Sequence, residues 1–469
     1  MTTVNCSMTD PAMGTPTSPL IQNTRLQAPM VWRDGRVLSA ADFLADVHAL
    51  AAQLPSSRYV FNCCEDRYAF MVAFAATLVS GQTNLMPPSR APEVIRDIAA
   101  DYPDSCYLTD EAVAVDGIRC QQFQPASAQP AGSQPTAALQ DSSAQQIPEI
   151  PMAHAAALVF TSGSTGRPKP NTKTWASLVI GTELAAERFF AGLTGQPQIL
   201  ATVPPQHMYG LETTVLHALL SGALMHSGRP LFPQDVRSSL AALTAPRVLI
   251  TTPIHLRALL KAGIDFPAPA FVVSATAPLD AELASAAEAL FNAPVMEIYG
   301  CTEAGSLASR RNLDGERWHL YPRMSLRVDG QTALLDGPQL DTGVPLADII
   351  EQFDAQQFAL RGRNADMLNI AGKRGSLADL NQRLLAIEGV EDGVIIQPDA
   401  GQGPVSRLAA LVVAPAMSEE AILQALREHT DAVFLPRPLY KVNKLPRNET
   451  GKLPRKAVLA MLAEKGKSP

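Results

Sequence analysis

Residues 161–169 read Thr-Ser-Gly-Ser-Thr-Gly-Arg-Pro-Lys and follow an apolar run, Ala155–Phe160. Thr161, Ser162, Gly163, Ser164, Thr165 and Gly166 combine glycines, which let a backbone turn sharply, with hydroxyls, and Lys169 closes the stretch. Successive free N–H groups and hydroxyls after a strand can cradle phosphate oxygens, with the lysine adding a point charge. A polar turn after a strand is the plainer reading. A Walker A loop is excluded, because Gly163 and Gly166 are three apart and Lys169 is followed by Pro170. No Gly-x-Ser-x-Gly nucleophile elbow occurs either.

Other stretches carry compatible chemistry. Glu297-Ile-Tyr-Gly-Cys-Thr-Glu303 ends an apolar strand at Tyr299 and then presents Thr302 and Glu303. Ligands of parallel sheets sit at the carboxyl ends of strands. There a threonine hydroxyl can meet a phosphate oxygen, and a glutamate can hold Mg²⁺. Taken singly, Glu303 reads equally as a surface carboxylate. Asp348 precedes Gly362-Arg363, Asn369-Ile-Ala-Gly-Lys-Arg374 follows, and Leu445-Pro-Arg-Asn-Glu-Thr-Gly-Lys452-Leu-Pro-Arg455 closes the series. Each is an ordinary polar turn by itself; their order along the chain is the informative property.

The elements that must position these residues alternate in type. Apolar spacing predicts a helix over Ala40–Leu54, a strand over Tyr59–Cys63 and a helix over Tyr68–Ser80. Strand-like runs recur at Ile199–Val203, Val248–Thr251, Ala270–Val273 and Val295–Tyr299. Helical patterns, Leu211–Leu220, His255–Ala262 and Ala281–Leu290, lie between them. The fold class is therefore α/β, with wound, mainly parallel sheets in a large N-terminal domain, 1–363. A small α+β domain, 364–469, follows, with a helix over Leu377–Ile387, strands over Gly393–Gln397 and Leu408–Val413, and a helix over Glu419–His429. Residues 1–27 read as a loose arm, and 124–147, rich in Gln, Pro, Ala and Ser, as a flexible insert.

Composition removes several classes. With 469 residues, 46% apolar and 18% charged, the chain is globular. A net charge of −7 leaves no basic excess for nucleic acid. Six cysteines include no Cys-x-x-Cys pair, which suggests reduced thiols and a cytoplasmic setting. The first 25 residues lack an apolar signal core, and the longest apolar stretch, Ala69–Val79, is too short to span a membrane.

Together the motifs resemble the adenylate-forming superfamily of acyl- and aryl-CoA synthetases, adenylation domains and luciferases. The resemblance runs from about Ala155 to Arg455, and more faintly through Tyr59–Pro87. It implies that 161–169 hold the β- and γ-phosphates of ATP. Thr302 would contact the α-phosphate and the reacting carboxylate, and Glu303 would ligate Mg²⁺. Ser274-Ala-Thr-Ala-Pro-Leu279, with Ala275 and Thr276, falls at the adenine pocket, and Tyr299 joins the nucleotide site. Asp348 would hold the ribose with Arg363 beside it, Arg374 would reach the phosphates, and Lys452 would be the catalytic lysine. His207, in Pro204-Pro-Gln-His-Met-Tyr-Gly210, matches a site flanking the acid. Met208, Tyr209, Leu211, Ala304 and Gly305 are wall candidates by position.

The implied reaction joins a carboxylic acid to ATP, releases pyrophosphate, and passes the acyl group to CoA or to an acyl carrier protein's phosphopantetheine. The small domain would rotate between the two steps. The chain's compact length favours a carrier-protein loader acting on an aryl or short acyl acid. Three positions depart from the family pattern. Thr342-Gly343 is followed by Val344, Ala365 occupies the hinge position, and Ser-Ala-Thr stands where a glycine is common. They motivate an alternative, a non-catalytic nucleotide- or acyl-binding homologue. Trp175 replaces a common histidine and either shapes the acid pocket or packs.

Overall fold

The computed structural model describes residues 15–22, 25–126, 146–162, 168–329, 332–363, 367–370, 373–398, 407–448 and 451–466. At residues 162, 168, 363, 367, 369, 373–375 and 429 the description extends to the backbone only. Gly163, Ser164, Thr165, Gly166 and Ala365 lie outside the described residues, as does most of the insert.

Two sheets carry the large domain. Thr83–Met86, Tyr59–Asn62, Ser105–Thr109 and Arg119–Gln122 lie parallel, with Ala155–Ser162 parallel to Thr83–Met86. Pro168–Thr174 closes that edge antiparallel to Ala155–Ser162. The second sheet is wound around Gln198–Ala201, Arg247–Thr251, Phe271–Ser274 and Val295–Cys301, mutually parallel as the four apolar runs predict. Beyond Cys301 it continues antiparallel through Gly305–Arg311, Trp318–Leu320, Gln357–Arg363 and Asp348–Gln352. This extension is a difference from the expected pattern. The links at 302–304 and 353–356 are too short for the crossover that a parallel neighbour requires.

Helix Arg67–Val79 is buried on nearly all faces, consistent with its near-continuous apolar sequence. Asp66 caps its first turn by accepting from the Ala69 N–H at 2.8 Å. The expected loose arm is corrected in part. Thr17–Pro19 pairs with Glu149–Pro151, and Leu20 and Ile21 are buried in the core. Burial of that apolar pair holds the segment against the domain. Trp175 is likewise fully buried and donates Nε1–H to the Ser18 carbonyl at 3.2 Å, so it packs.

In the small domain, Asp392–Ile396, Ala409–Val413 and Leu439–Lys441 form one sheet. Helices Leu377–Leu385, Glu419–His429 and Arg455–Lys465 accompany it. Leu380, Leu384, Ile422 and Leu426 fill the apolar core shared by the first two helices. Contacts with the large domain include Lys261 Nζ to Glu391 Oε1 at 3.2 Å. Among the described residues no helix is long and apolar enough to cross a membrane.

Candidate active site

The ends of the 161–169 loop are tied together by strand pairing. Thr161 lies opposite Lys169 in the antiparallel ladder, and Ser162 opposite Pro168. Lys169 is exposed. Strand Pro168–Thr174 is the edge of the first sheet, where prolines at 168 and 170 are tolerated.

Thr302 and Glu303 occupy the turn between Val295–Cys301 and Gly305–Arg311, with Thr302 half-buried and Glu303 exposed. A residue not singled out in the sequence anchors this turn. The buried Lys173 donates from Nζ to the Glu303 carbonyl at 2.8 Å. Burial pulls the Lys173 ammonium below its usual range, while Glu212 is the strongest charge acting to restore it.

Tyr299, Asp348 and Arg363 come together. The Tyr299 hydroxyl donates to Asp348 Oδ2 at 2.7 Å, and Asp348 lies opposite Arg363 in strand register. Ala275 and Thr276 follow strand Phe271–Ser274 directly. Thr276 has φ +78°, a conformation that a β-branched residue rarely adopts. Glu297 steadies this segment. Its Oε1 accepts from the Leu279 N–H at 3.2 Å and its Oε2 from Arg310 Nε at 2.7 Å.

Lys452 is exposed on a loop with an internal clamp. Arg447 forms a bidentate pair with Asp392, at 2.7 and 2.6 Å, and donates to the Gly451 carbonyl at 2.6 Å. The Lys452 N–H donates to Asn448 Oδ1 at 2.8 Å. Gly451, at φ +78°, abuts Ile254 of the large domain, where a side chain would be crowded. Lys452 and His207 are near enough to interact electrostatically. Burial, then the charges of Lys452 and Arg229, push the His207 imidazole down to about 4. His207 is therefore neutral at pH 7. Arg374 belongs to strand Lys373–Ser376, opposite Asn369.

A narrow cavity lies between helix Trp175–Phe190 and strands Arg247–Thr251 and Phe271–Ser274, with about 500 Å³ of empty space when the open solvent at its mouth is counted. Leu178, Phe189, Val248, Ile250, Phe271 and Val273 contribute apolar wall, and Glu212, Ser306 and Tyr321 polar groups. Glu212, Thr213, Leu216 and Ser306 line this cavity, and the wall candidates Met208, Tyr209, Leu211, Ala304 and Gly305 do not. The reason is local. Residues Leu211–Val215 form a π turn, which alters the facing expected of a regular helix, and Gly305, at φ +77°, leaves its Cβ space to the Glu212 carboxylate.

Burial also pushes His217 and His226 down to about 4. Histidines in an unfolded chain titrate near 6.5. Between these values the unfolded state binds protons that the folded state refuses, so stability rises with pH across the window. Urea midpoints are therefore expected to fall on acidification from pH 6.5 to 5, with a slope set mainly by His207, His217 and His226 and increased by His255 and His319, which burial also lowers. A flat midpoint over that range would show solvated imidazoles.

The chain is similar to known proteins along most of its length. Residues 21–343 match the AMP-binding enzyme family. A 4-coumarate–CoA ligase of Halorhodospira halophila is 30% identical over 311 residues, covering 64% of this chain and 75% of that protein. A 3,4-dihydroxybenzoate–[aryl-carrier protein] ligase of Bacillus anthracis is 23% identical over 329 residues, covering 64% and 72%. In fold, the chain is similar to ATP-bound MatB from Rhodopseudomonas palustris, with a TM-score of 0.75, 18% identity, and 94% and 96% of the two chains covered. It is also similar to AMP-bound O-succinylbenzoate CoA synthetase from Bacillus subtilis, with a TM-score of 0.74, 16% identity, and 94% and 98% covered. The chain belongs to the AMP-binding enzyme family, within the adenylate-forming superfamily. It is an ATP-dependent acid–thiol ligase.

Proposed function

We propose that this enzyme activates an aryl or short acyl acid as its adenylate and then transfers the acyl group to a phosphopantetheine thiol of a carrier protein, with CoA as the other candidate acceptor. The observation that supports the reading is the seating of the clamped loop that carries Lys452 on the large domain, where Gly451 abuts Ile254.

In the first step a carboxylate oxygen attacks the α-phosphorus of ATP. The new O–P bond forms as the bond to the β-phosphate oxygen breaks, and pyrophosphate leaves. Both reactants are anions, so positioning and charge neutralisation supply the catalysis. Residues 161–169 would hold the β- and γ-phosphates, and Thr302 the α-phosphate. Asp348 and Arg363 would hold the ribose, while Ala275, Thr276 and Tyr299 border the base. Arg374 would reach the phosphates. Lys452 would stabilise the charge that builds at the α-phosphate.

Among the described residues no cluster of three metal-ligating side chains occurs. A single exposed carboxylate, Glu303, fits Mg²⁺, which takes one or two carboxylates and completes its shell with phosphates and water. When bound, the ion would neutralise phosphate charge. In the second step a thiol attacks the acyl carbon, the carbon–oxygen bond to AMP breaks, and the thiol proton is released. We place the pivot between the steps at the 363/364 boundary and the enzyme in the cytoplasm, where ATP is available.

Acid-dependent ATP–pyrophosphate exchange, measured across fatty and aryl acids, is expected to detect at least one substrate. Absence of exchange with every acid would sink the proposal in favour of a non-catalytic homologue. Incubation of the active acid with CoA and with phosphopantetheinylated carrier proteins then separates the acceptors.

A further inference from the structure

Lys173 is a buried ammonium at a place where a wall residue would ordinarily be apolar. It sits on strand Pro168–Thr174, which leaves the 161–169 loop. The ladder is regular as far as this residue. Lys169 lies opposite Thr161, Asn171 opposite Val159 and Lys173 opposite Ala157, and the irregularity comes only beyond it. Side chains alternate along a strand, so Lys169 and Lys173 stand on one face, about 13 Å apart along it. Ala157 and Val159 share that face and are buried in the main apolar core. A charge there is costly unless it is hydrogen-bonded or paired.

The charge meets the turn at the end of the second sheet. Lys173 Nζ donates to the Glu303 carbonyl at 2.8 Å, across 130 residues of sequence. The turn is the three-residue tip, 302–304, of a hairpin in which Cys301 pairs with Gly305 and Gly300 with Ser306. Glu212 grips the base of the same hairpin. Its carboxylate accepts from the Ser306 N–H at 3.2 Å and from the Ser306 hydroxyl at 3.0 Å. Lys173 and Glu212 also balance each other's charge. The tip that carries Thr302 and Glu303 is thus fixed at a carbonyl by one residue and at its base by the other. An apolar side chain would fill the Lys173 site and leave that carbonyl without its donor.

We propose that Lys173 is a positioning residue for adenylation. Through the strand it shares with Lys169, it sets the Thr302–Glu303 turn at a fixed reach from the phosphate loop. The groups that meet the outer phosphates and those that meet Mg²⁺ and the α-phosphate are then placed by one piece of backbone. The inference rests on the ligase reading above and deepens it. Lys173 acts through the Glu303 main chain and not on the substrate.

The test is calorimetric ATP binding, once with Mg²⁺ and once with EDTA. The ratio of the two affinities reports what the metal-holding carboxylate contributes. Lys173→Met keeps the side chain's length and loses the donor. Lys173→Met combined with Glu212→Gln removes both charges together, and the glutamine keeps an acceptor for Ser306, so it serves where the single variant does not fold. Outer partners of metal ligands are typically worth about 10–100-fold in metal affinity or activity. The Mg²⁺ advantage is therefore expected to fall about tenfold or more, and the Mg²⁺ concentration for half-maximal pyrophosphate exchange to rise by a similar factor. ATP binding in EDTA should stay within a few-fold of wild type. A residue that only fills space would lower the urea midpoint and the amount of active enzyme, with the affinity ratio and the half-maximal Mg²⁺ unchanged. That result would overturn the assignment, as would a wild-type ratio near one. Each ratio compares two conditions on one protein, so a general loss of folded enzyme cancels. Absence of exchange by the wild-type protein with every acid would instead remove the ligase reading, and the calorimetric ratio would still decide the role of Lys173.

Discussion

Replacing Lys452 with Ala is expected to slow adenylate formation about a thousandfold, the upper range for deleting one pre-aimed charge at a developing anion. The same variant should convert supplied acyl-adenylate and thiol to thioester at a rate within a few-fold of wild type. The asymmetry follows from what each step needs. Adenylation brings two anions together, and the Arg447–Asp392 pair and the Asn448 cap hold the loop that would present Lys452 for that step. Thiol attack on an adenylate has no triphosphate to neutralise. Equal loss in both half-reactions would contradict the assignment. A second readout is independent of turnover. Lys452 is the largest charge depressing His207, after burial, so Lys452→Ala should raise the His207 titration above about 4 while burial keeps it below the ordinary value. Lys452→Arg should restore the titration more fully than the rate, because a planar guanidinium does not reproduce a compact ammonium.

Much of the scaffold was legible because its strands are apolar and bounded by turn residues. Val248–Thr251 and Val295–Tyr299 announce buried strands, and both lie in the parallel centre of the second sheet. Strand Pro168–Thr174 did not announce itself. Its sequence, Pro-Lys-Pro-Asn-Thr-Lys-Thr, is polar and carries two prolines, which only an edge position accommodates. The 211–220 segment read as one helix, since apolar periodicity does not reveal a single π turn. At the site, Thr302, Glu303, Asp348 and Lys452 stand out because glycines and prolines surround them. Their supports do not. Lys173 is 130 residues from the Glu303 carbonyl that it holds, and Asp392 is 55 residues from Arg447. No local pattern encodes such pairs; they exist only once the sheets have brought the partners together.

Arg67→Met is expected to destabilise the large domain by about 2–4 kcal/mol, and the sign of that change is a contest between two effects. Arg67 is fully buried with no carboxylate in ion-pair range among the described residues, and burial drops its pKa to about 9. Its Nε also lacks a partner. Those features alone would make a well-packed apolar side chain neutral or better. Against them stand three hydrogen bonds. Arg67 Nη2 donates to the Ala201 and Val203 carbonyls, each at 2.9 Å, and Nη1 to the Thr214 hydroxyl at 3.1 Å. Met would leave both carbonyls buried without these donors, at about 1–3 kcal/mol each, which outweighs the relief of desolvation. The same contacts join the end of strand Gln198–Ala201, just before His207, to the π turn that carries Glu212. Loss of acid-dependent exchange should therefore exceed the loss of folded protein at 25 °C. Arg67→Lys should recover little, since one ammonium on a shorter reach cannot meet three acceptors on two elements. A urea-derived destabilisation below about 1 kcal/mol for Arg67→Met would show that desolvation wins, and that the arginine is kept for positioning the π turn more than for stability.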